Sequence, residues 1–134
     1  MAPPALRGMV VRRERGLAVL TAHVPRRGDV MWVKLDPTLG TEIRKTRPAV
    51  VVSNDSCNRY GARVVVVPVT SNVETLYPGE ALVEIRGRKG RVLGDQIRSI
   101  DRARLRGRVQ RLTADEMDRV DDALRVTLAL HASL

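Results

Sequence analysis

Two valine-rich runs constrain this chain more than any other feature: RPAVVVS at 47–53 and RVVVVPVT at 63–70. Branching at Cβ stiffens χ1 and crowds a helical turn, so such runs favour extended backbone in a covered sheet. Both must be largely buried strands. The intervening NDSCNRYGA is dense in turn formers and reads as a turn. If the two strands are neighbours, Arg47 at the mouth of one and Thr70 at the end of the other converge.

The remaining chain fits more short strands around this pair. Residues 30–35 alternate as a strand with Trp32 as packing anchor, and Asp36-Pro37 ends it because proline brings no ladder donor. Residues 38–46 read as a loop around Gly40, and a second polar loop follows Thr70. Then come a short alternating strand at 80–85, a basic turn at 86–90, strand-like residues with interleaved polar groups at 92–100, and a small strand at 105–109. Strands this short and closely spaced predict a small barrel or sandwich. Thr113 and Glu116 fit a capping box, and Met117, Val120, Leu124, Thr127, Leu128 and His131 follow at helical spacing. The fold class is therefore mainly β with an amphipathic C-terminal helix packed on the barrel. Residues 1–26, with Pro3-Pro4 and a basic run at 12–15, read as an extension, either disordered or lending a strand at 17–20; the domain proper is 27–134.

Charge narrows the function. The formal net charge is +9, and all but three of the 24 basic residues are arginine. That balance favours polyanions and acidic protein partners. Arginine also grips phosphate through two planar N–H bonds, which lysine does not. Trp32, Tyr60 and Tyr77 are too few for a general base-stacking platform. A single cysteine, Cys57, excludes a disulfide framework and a multi-cysteine zinc site, while His23 and His131 lie near opposite ends of the chain. Gly87, Gly90 and Gly94 match no nucleotide-cofactor fingerprint. No metal or cofactor is expected. With no apolar run of membrane length and no leader-like block, a cytoplasmic protein is expected.

Four groups can carry chemistry. Glu42, Arg44, Lys45 and Arg47 set a carboxylate among cations, and Pro48 stiffens the base from which Arg47 projects. Thr70, Ser71 and Asn72 end the second valine strand, where a hydroxyl and the Arg47 guanidinium can hold the nonbridging oxygens of a phosphate. Asp95, Gln96 and Arg98 place polar groups in an apolar stretch, where Asp95 serves either in structure, paired to an arginine, or in chemistry. Residues 86–111, rich in arginine, form either a phosphate-tracking face or a solvated one.

Taken in order, RGDVMWVKLDPTLGTE, RPAVVVSND, VVPVTSN and GDQIRSID, closed by LTADEMDRVDDALRVTLAL, resemble the MazF/PemK endoribonuclease toxins of bacterial toxin–antitoxin pairs. The resemblance spans roughly 27–130. It implies an SH3-like small barrel of the MazF/CcdB-like plasmid maintenance toxin fold, assembled as a homodimer. It also implies metal-independent cleavage of single-stranded RNA at short preferred sequences, with 2′,3′-cyclic phosphate and 5′-hydroxyl products. The family's catalytic pair falls on Arg47 and Thr70, and its loop glutamate on Glu42. Thr41, Arg44, Lys45, Ser71, Asn72, Asp95 and Gln96 are the residues assigned to substrate. An acidic antitoxin covering the basic groove is the implied partner. Some relatives carry an arginine and a histidine where this chain has Leu93 and Thr41, so a mechanism needing that set does not transfer. Two alternatives stand beside the nuclease. One is a CcdB-like gyrase-binding toxin, which would leave Arg47 and Thr70 without a role; the other is an RNA-binding barrel that does not cut.

Overall fold

The computed structural model describes residues 24–35 and 46–131. Among them, seven strands form one antiparallel sheet: β1 (Asp29–Val33), β2 (Arg47–Val51), β3 (Arg63–Thr70), β4 (Glu80–Ile85), β5 (Arg88–Leu93), β6 (Arg98–Asp101) and β7 (Leu105–Arg111). A short helix, α1 (Asp55–Tyr60), joins β2 to β3, and a long one, α2 (Ala114–Leu128), follows β7. The spatial order is β4-β5-β3-β2-β1-β7, with β6 beside β3. The sheet curls into a half-barrel.

β3 is the spine. On one edge it pairs with β2, setting Ala49 against Pro68, Val50 against Val67 and Val51 against Val66. Its other edge is divided: Arg63 to Val66 pair with β6, and Val69 and Thr70 pair with β5. The valine runs are buried because both faces of the sheet are covered. Val30, Val50, Val67, Val69 and Val92 meet Leu112, Val120, Ala123 and Leu124 on the α2 side. Met31, Val33, Ala49, Val51, Val64, Val66 and Ile100 form a second cluster on the opposite side. Each fully buried valine contributes about 1.5–3 kcal/mol over an exposed one, so the spine dominates the core.

Side chains complete the closure that backbone pairing leaves open between β4 and β7. Gln110 of β7 accepts from the Arg86 amide at 2.8 Å and donates to the Glu84 carbonyl at 2.7 Å. Glu116 of α2 accepts from the Glu84 amide at 2.7 Å, and Arg119 donates to the Leu82 carbonyl at 3.2 Å. These bonds occupy groups that an open edge would offer to another strand. Thr113 caps α2 as its sequence predicts: its hydroxyl accepts from the Glu116 amide at 3.1 Å while Glu116 accepts from the Thr113 amide at 2.9 Å.

Several elements differ from expectation. NDSCNRYGA is not only turn: six of its residues form α1, capped by Asn54, whose side chain accepts from the Cys57 amide at 2.8 Å. Asn58 anchors it from a fully buried position, donating to the Ser53 carbonyl at 2.9 Å and accepting from the Ser53 hydroxyl. The stretch 92–100 breaks in the middle, with β5 ending at Leu93, a 3-10 turn at Gly94–Gln96 and β6 beginning at Arg98. The basic turn at 86–90 shrinks to Arg86 and Gly87, both at positive φ, as a two-residue hairpin turn requires. β1 ends at Val33, α2 ends at Leu128, and His131 lies beyond it, exposed. Trp32 is half-buried beneath the Arg86 guanidinium, 5.9 Å from its ring centre. Among the described residues, no helix is long and apolar enough to cross a membrane. The extension with its strand at 17–20, His23 and the strand stop at Asp36-Pro37 lie outside the described residues.

Candidate active site

Arg47 opens β2 and is exposed; Thr70 closes β3 and is half-buried. The pairing of β2 with β3 starts at Ala49 opposite Pro68, and the same register carried two residues outward sets Arg47 against Thr70. Both residues lie on the face of the second cluster, because Arg47 alternates with Ala49 and Val51, and Thr70 with Val66 and Val64. Val33 flanks Arg47 on β1, and Arg91 flanks Thr70 on β5. One row therefore crosses four strands: Val33, Arg47, Thr70, Arg91.

The hydroxyl of Thr70 has a defined local role. Its oxygen accepts from the Asn72 amide at 3.3 Å, and the Asn72 side chain accepts from the Glu74 amide at 3.2 Å. A hydroxyl carries one donor and two acceptor positions, so accepting from the backbone leaves its proton to donate elsewhere. Ser71 and Asn72 follow at once, both exposed. Asp95 and Gln96 sit on the 3-10 turn, which bridges the stretch of β3 between its pairings with β5 and β6. The polar pair is thus not buried in a strand: Asp95 and Gln96 are exposed, and the residue held tightly there is Gly94. Its amide donates to the Gly79 carbonyl at 3.1 Å, under Thr127 of α2. This contact ties the turn, the end of the 71–79 loop and the helix together.

Thr41, Glu42, Arg44 and Lys45 lie outside the described residues. The chain thus sets Arg47 and Thr70 at the ends of adjacent strands, with Ser71 and Asn72 following Thr70 and Asp95 and Gln96 on the 3-10 turn. Several arginines of residues 86–111 have partners within the chain. Arg111 binds buried Asp29 at 2.8 Å with Arg108 at 3.8 Å, Arg104 donates to the Lys34 carbonyl at 3.2 Å, and Arg91 turns inward. Arg91 and its partner Glu80 are the neighbours of the site that sequence reading missed. No local motif marks them, since their place depends on β5 meeting the last residues of β3.

This arrangement suits a phosphodiester. A guanidinium supplies fixed charge and planar donors, and a hydroxyl oriented by backbone supplies one more donor on the adjacent strand. The model of the PemK-like, MazF-like toxins of type II toxin–antitoxin systems matches residues 26–128. The endoribonuclease MazF9 of Mycobacterium tuberculosis is 40% identical over 114 residues, covering 78% of this chain and 97% of the relative. The endoribonuclease EndoA of Bacillus subtilis is 33% identical over 112 residues, covering 80% and 97%. Among solved structures, a mycobacterial endoribonuclease in complex with its cognate antitoxin superposes with a TM-score of 0.67 at 27% identity, covering 81% of this chain and 99% of that one. On this match of sequence and fold across most of its length, the chain belongs to the PemK-like, MazF-like toxins of type II toxin–antitoxin systems.

Proposed function

We propose that this endoribonuclease toxin cuts single-stranded RNA at preferred sequences without a metal ion, using the RNA's own 2′-hydroxyl as nucleophile. The observation that supports the reading is the β2–β3 register, which, carried two residues past Ala49 and Pro68, sets Arg47 against Thr70. Attack forms the 2′-O–P bond as the P–O5′ bond breaks, leaving a 2′,3′-cyclic phosphate and a 5′-hydroxyl. A carboxylate, Glu42 or Asp95, takes the 2′ proton. A guanidinium is a poor base, so the part of Arg47 is to stabilise the pentavalent phosphate, while the departing 5′-oxygen takes its proton from solvent. Thr70 donates to a nonbridging oxygen. Because the nucleophile belongs to the substrate, no metal-activated water is needed.

Base selection falls to Thr41, Arg44 and Lys45 on one side and to Ser71, Asn72 and Gln96 on the other, through hydrogen bonds to unstacked bases. The net charge of +9 supports RNA as substrate and an acidic antitoxin as the partner that excludes it. The solved relative bound to its cognate antitoxin supports that partnership. The reading carries a homodimer acting in the cytoplasm, where cutting RNA halts translation. Incubation of the purified chain with a defined single-stranded RNA in EDTA tests it. Discrete cuts with 5′-hydroxyl and cyclic phosphate ends are expected; RNA left intact at high protein concentration overturns the reading.

A further inference from the structure

Arg91 is the charged member of the site row that the proposed chemistry does not use. Its side chain is only 14% exposed, and that of Glu80, its ion-pair partner at 3.3 Å, is 10% exposed. A buried ion pair is a poor way to gain stability, because two charges lose water and apolar side chains of similar volume do as well or better. Here the arrangement is also incomplete, since Arg91 Nε is buried without a hydrogen-bond partner among the described residues. A residue kept under those conditions invites a search for what its other atoms hold.

They hold the 71–79 loop. Arg91 Nη1 donates to the Thr75 carbonyl, and the same nitrogen reaches Glu80 Oε1. Glu80 Oε1 in turn accepts from the Tyr77 amide at 2.9 Å. Two backbone groups of the loop are thereby fixed by one charged pair rooted in β4 and β5. At the loop's start, Thr70 and Asn72 hold the next two turns of backbone. Little apolar burial supports the middle, for Leu76 is 49% exposed and Tyr77 58%. Polar anchors set this loop's conformation.

We propose that Arg91 and Glu80 are positioning residues for RNA sequence selection. They hold the 71–79 loop in the conformation that presents Ser71, Asn72 and the exposed face of Tyr77 to the bases flanking the scissile phosphate. The inference rests on the nuclease reading of the site, because a loop that reads bases matters only where RNA binds. Side chains that read bases work within narrow tolerances, so a loosened loop blurs discrimination between sequences.

The test uses the full chain, an Arg91→Met/Glu80→Gln double variant and an Arg91→Lys variant. The double variant removes both charges, so neither is left buried alone. Cleavage sites are mapped on a random single-stranded RNA pool, and amide exchange is followed at Tyr77. In the double variant, preference for the favoured sequence over its single-base neighbours is expected to fall on the order of tenfold or more, as a misplacement of roughly 1 Å allows. Its Tyr77 amide is expected to exchange faster, while Arg91→Lys retains most of the preference. A folded double variant that cuts with unchanged preference overturns the inference, as does one that loses all sequences equally. If the double variant does not fold, the parent chain decides: a Tyr77 amide exchanging as fast as in an unstructured peptide overturns the clamp, and a protected one supports it. Failure of the parent chain to cut RNA removes the nuclease reading and this inference together, whereas a cutting parent with an indifferent variant removes the inference alone.

Discussion

Replacing Gly94 with alanine tests how the site's framework is assembled. A Cβ at this position would stand 2.2 Å from the Gly79 carbonyl oxygen, 2.7 Å from Thr127 Oγ1 and 3.3 Å from the Gly79 carbonyl carbon. Carbon–oxygen contacts settle at about 3.3–3.6 Å, so the two backbone segments must separate by roughly 1 Å. Overpacking of this kind costs about 1–3 kcal/mol. The separation also loses the 3.1 Å hydrogen bond between Gly94 and Gly79, worth about 0.5–1.5 kcal/mol. Together these give about 2–4 kcal/mol of destabilisation and a drop of roughly 10 °C in Tm for a domain of this size. Adding Thr127→Ala relieves the side-chain contact but not the shorter one to backbone, so it is expected to rescue little. Gly87→Ala is the contrast: among the described residues nothing lies within 4 Å of its Cβ, but its φ is +76°, so about 1–2 kcal/mol is expected from backbone strain alone. Thermal and urea unfolding followed by circular dichroism measure all three. A Gly94→Ala chain within about 0.5 kcal/mol of the parent would refute the steric reasoning, since half a kilocalorie is the spread of neutral surface changes.

Burial pushes the Glu116 carboxyl up, but the Thr113 and Glu84 amides, the Thr113 hydroxyl and nearby Arg119 outweigh it and leave the pKa below its usual value of 4.5. Its contribution is therefore fully present above pH 4.5 and is lost as pH falls through the lowered folded value. Glu116→Gln is expected to flatten that acid limb of urea stability, and an unchanged limb contradicts the assignment. Asn58→Ala empties a fully buried position and leaves the Ser53 carbonyl and hydroxyl short of partners, so about 2–3 kcal/mol is expected by urea unfolding; a loss below about 1 kcal/mol counts against α1 being anchored there.

Legibility from sequence followed how local the cause was. The valine runs declared themselves because branching at Cβ acts on the residue's own backbone, and Thr113 and Glu116 because a capping box closes within four residues. The places of Arg47 and Thr70 at strand ends were also within reach, since they need only the strands to be placed. α1 was hidden because Asn, Asp and Ser serve both turns and helix starts, and the choice rests on Asn58 finding Ser53 in the interior. The break at Gly94 was hidden for a related reason: the close approach of Gly79 and α2 is tertiary, and nothing in GDQ announces it. Arg91 was the hardest to see. Read as one arginine in a basic run, it belonged to the surface; only the pairing of β3 with β5 turns it toward Glu80 and the loop.

The most direct measurement is a double-mutant cycle on RNA cleavage with Arg47→Ala, Thr70→Val and their combination, with Thr70→Ser as the control that keeps a hydroxyl. Each single change is expected to lower the cleavage rate about 10²–10³-fold, as loss of one transition-state donor does elsewhere. The combination is expected to lose far less than the product of the two, because both side chains serve one phosphate. Thr70→Ser is expected to retain most activity. A folded Arg47→Ala or Thr70→Val chain cutting RNA within about threefold of the parent, well outside that range, contradicts the pairing of these two residues at the scissile bond.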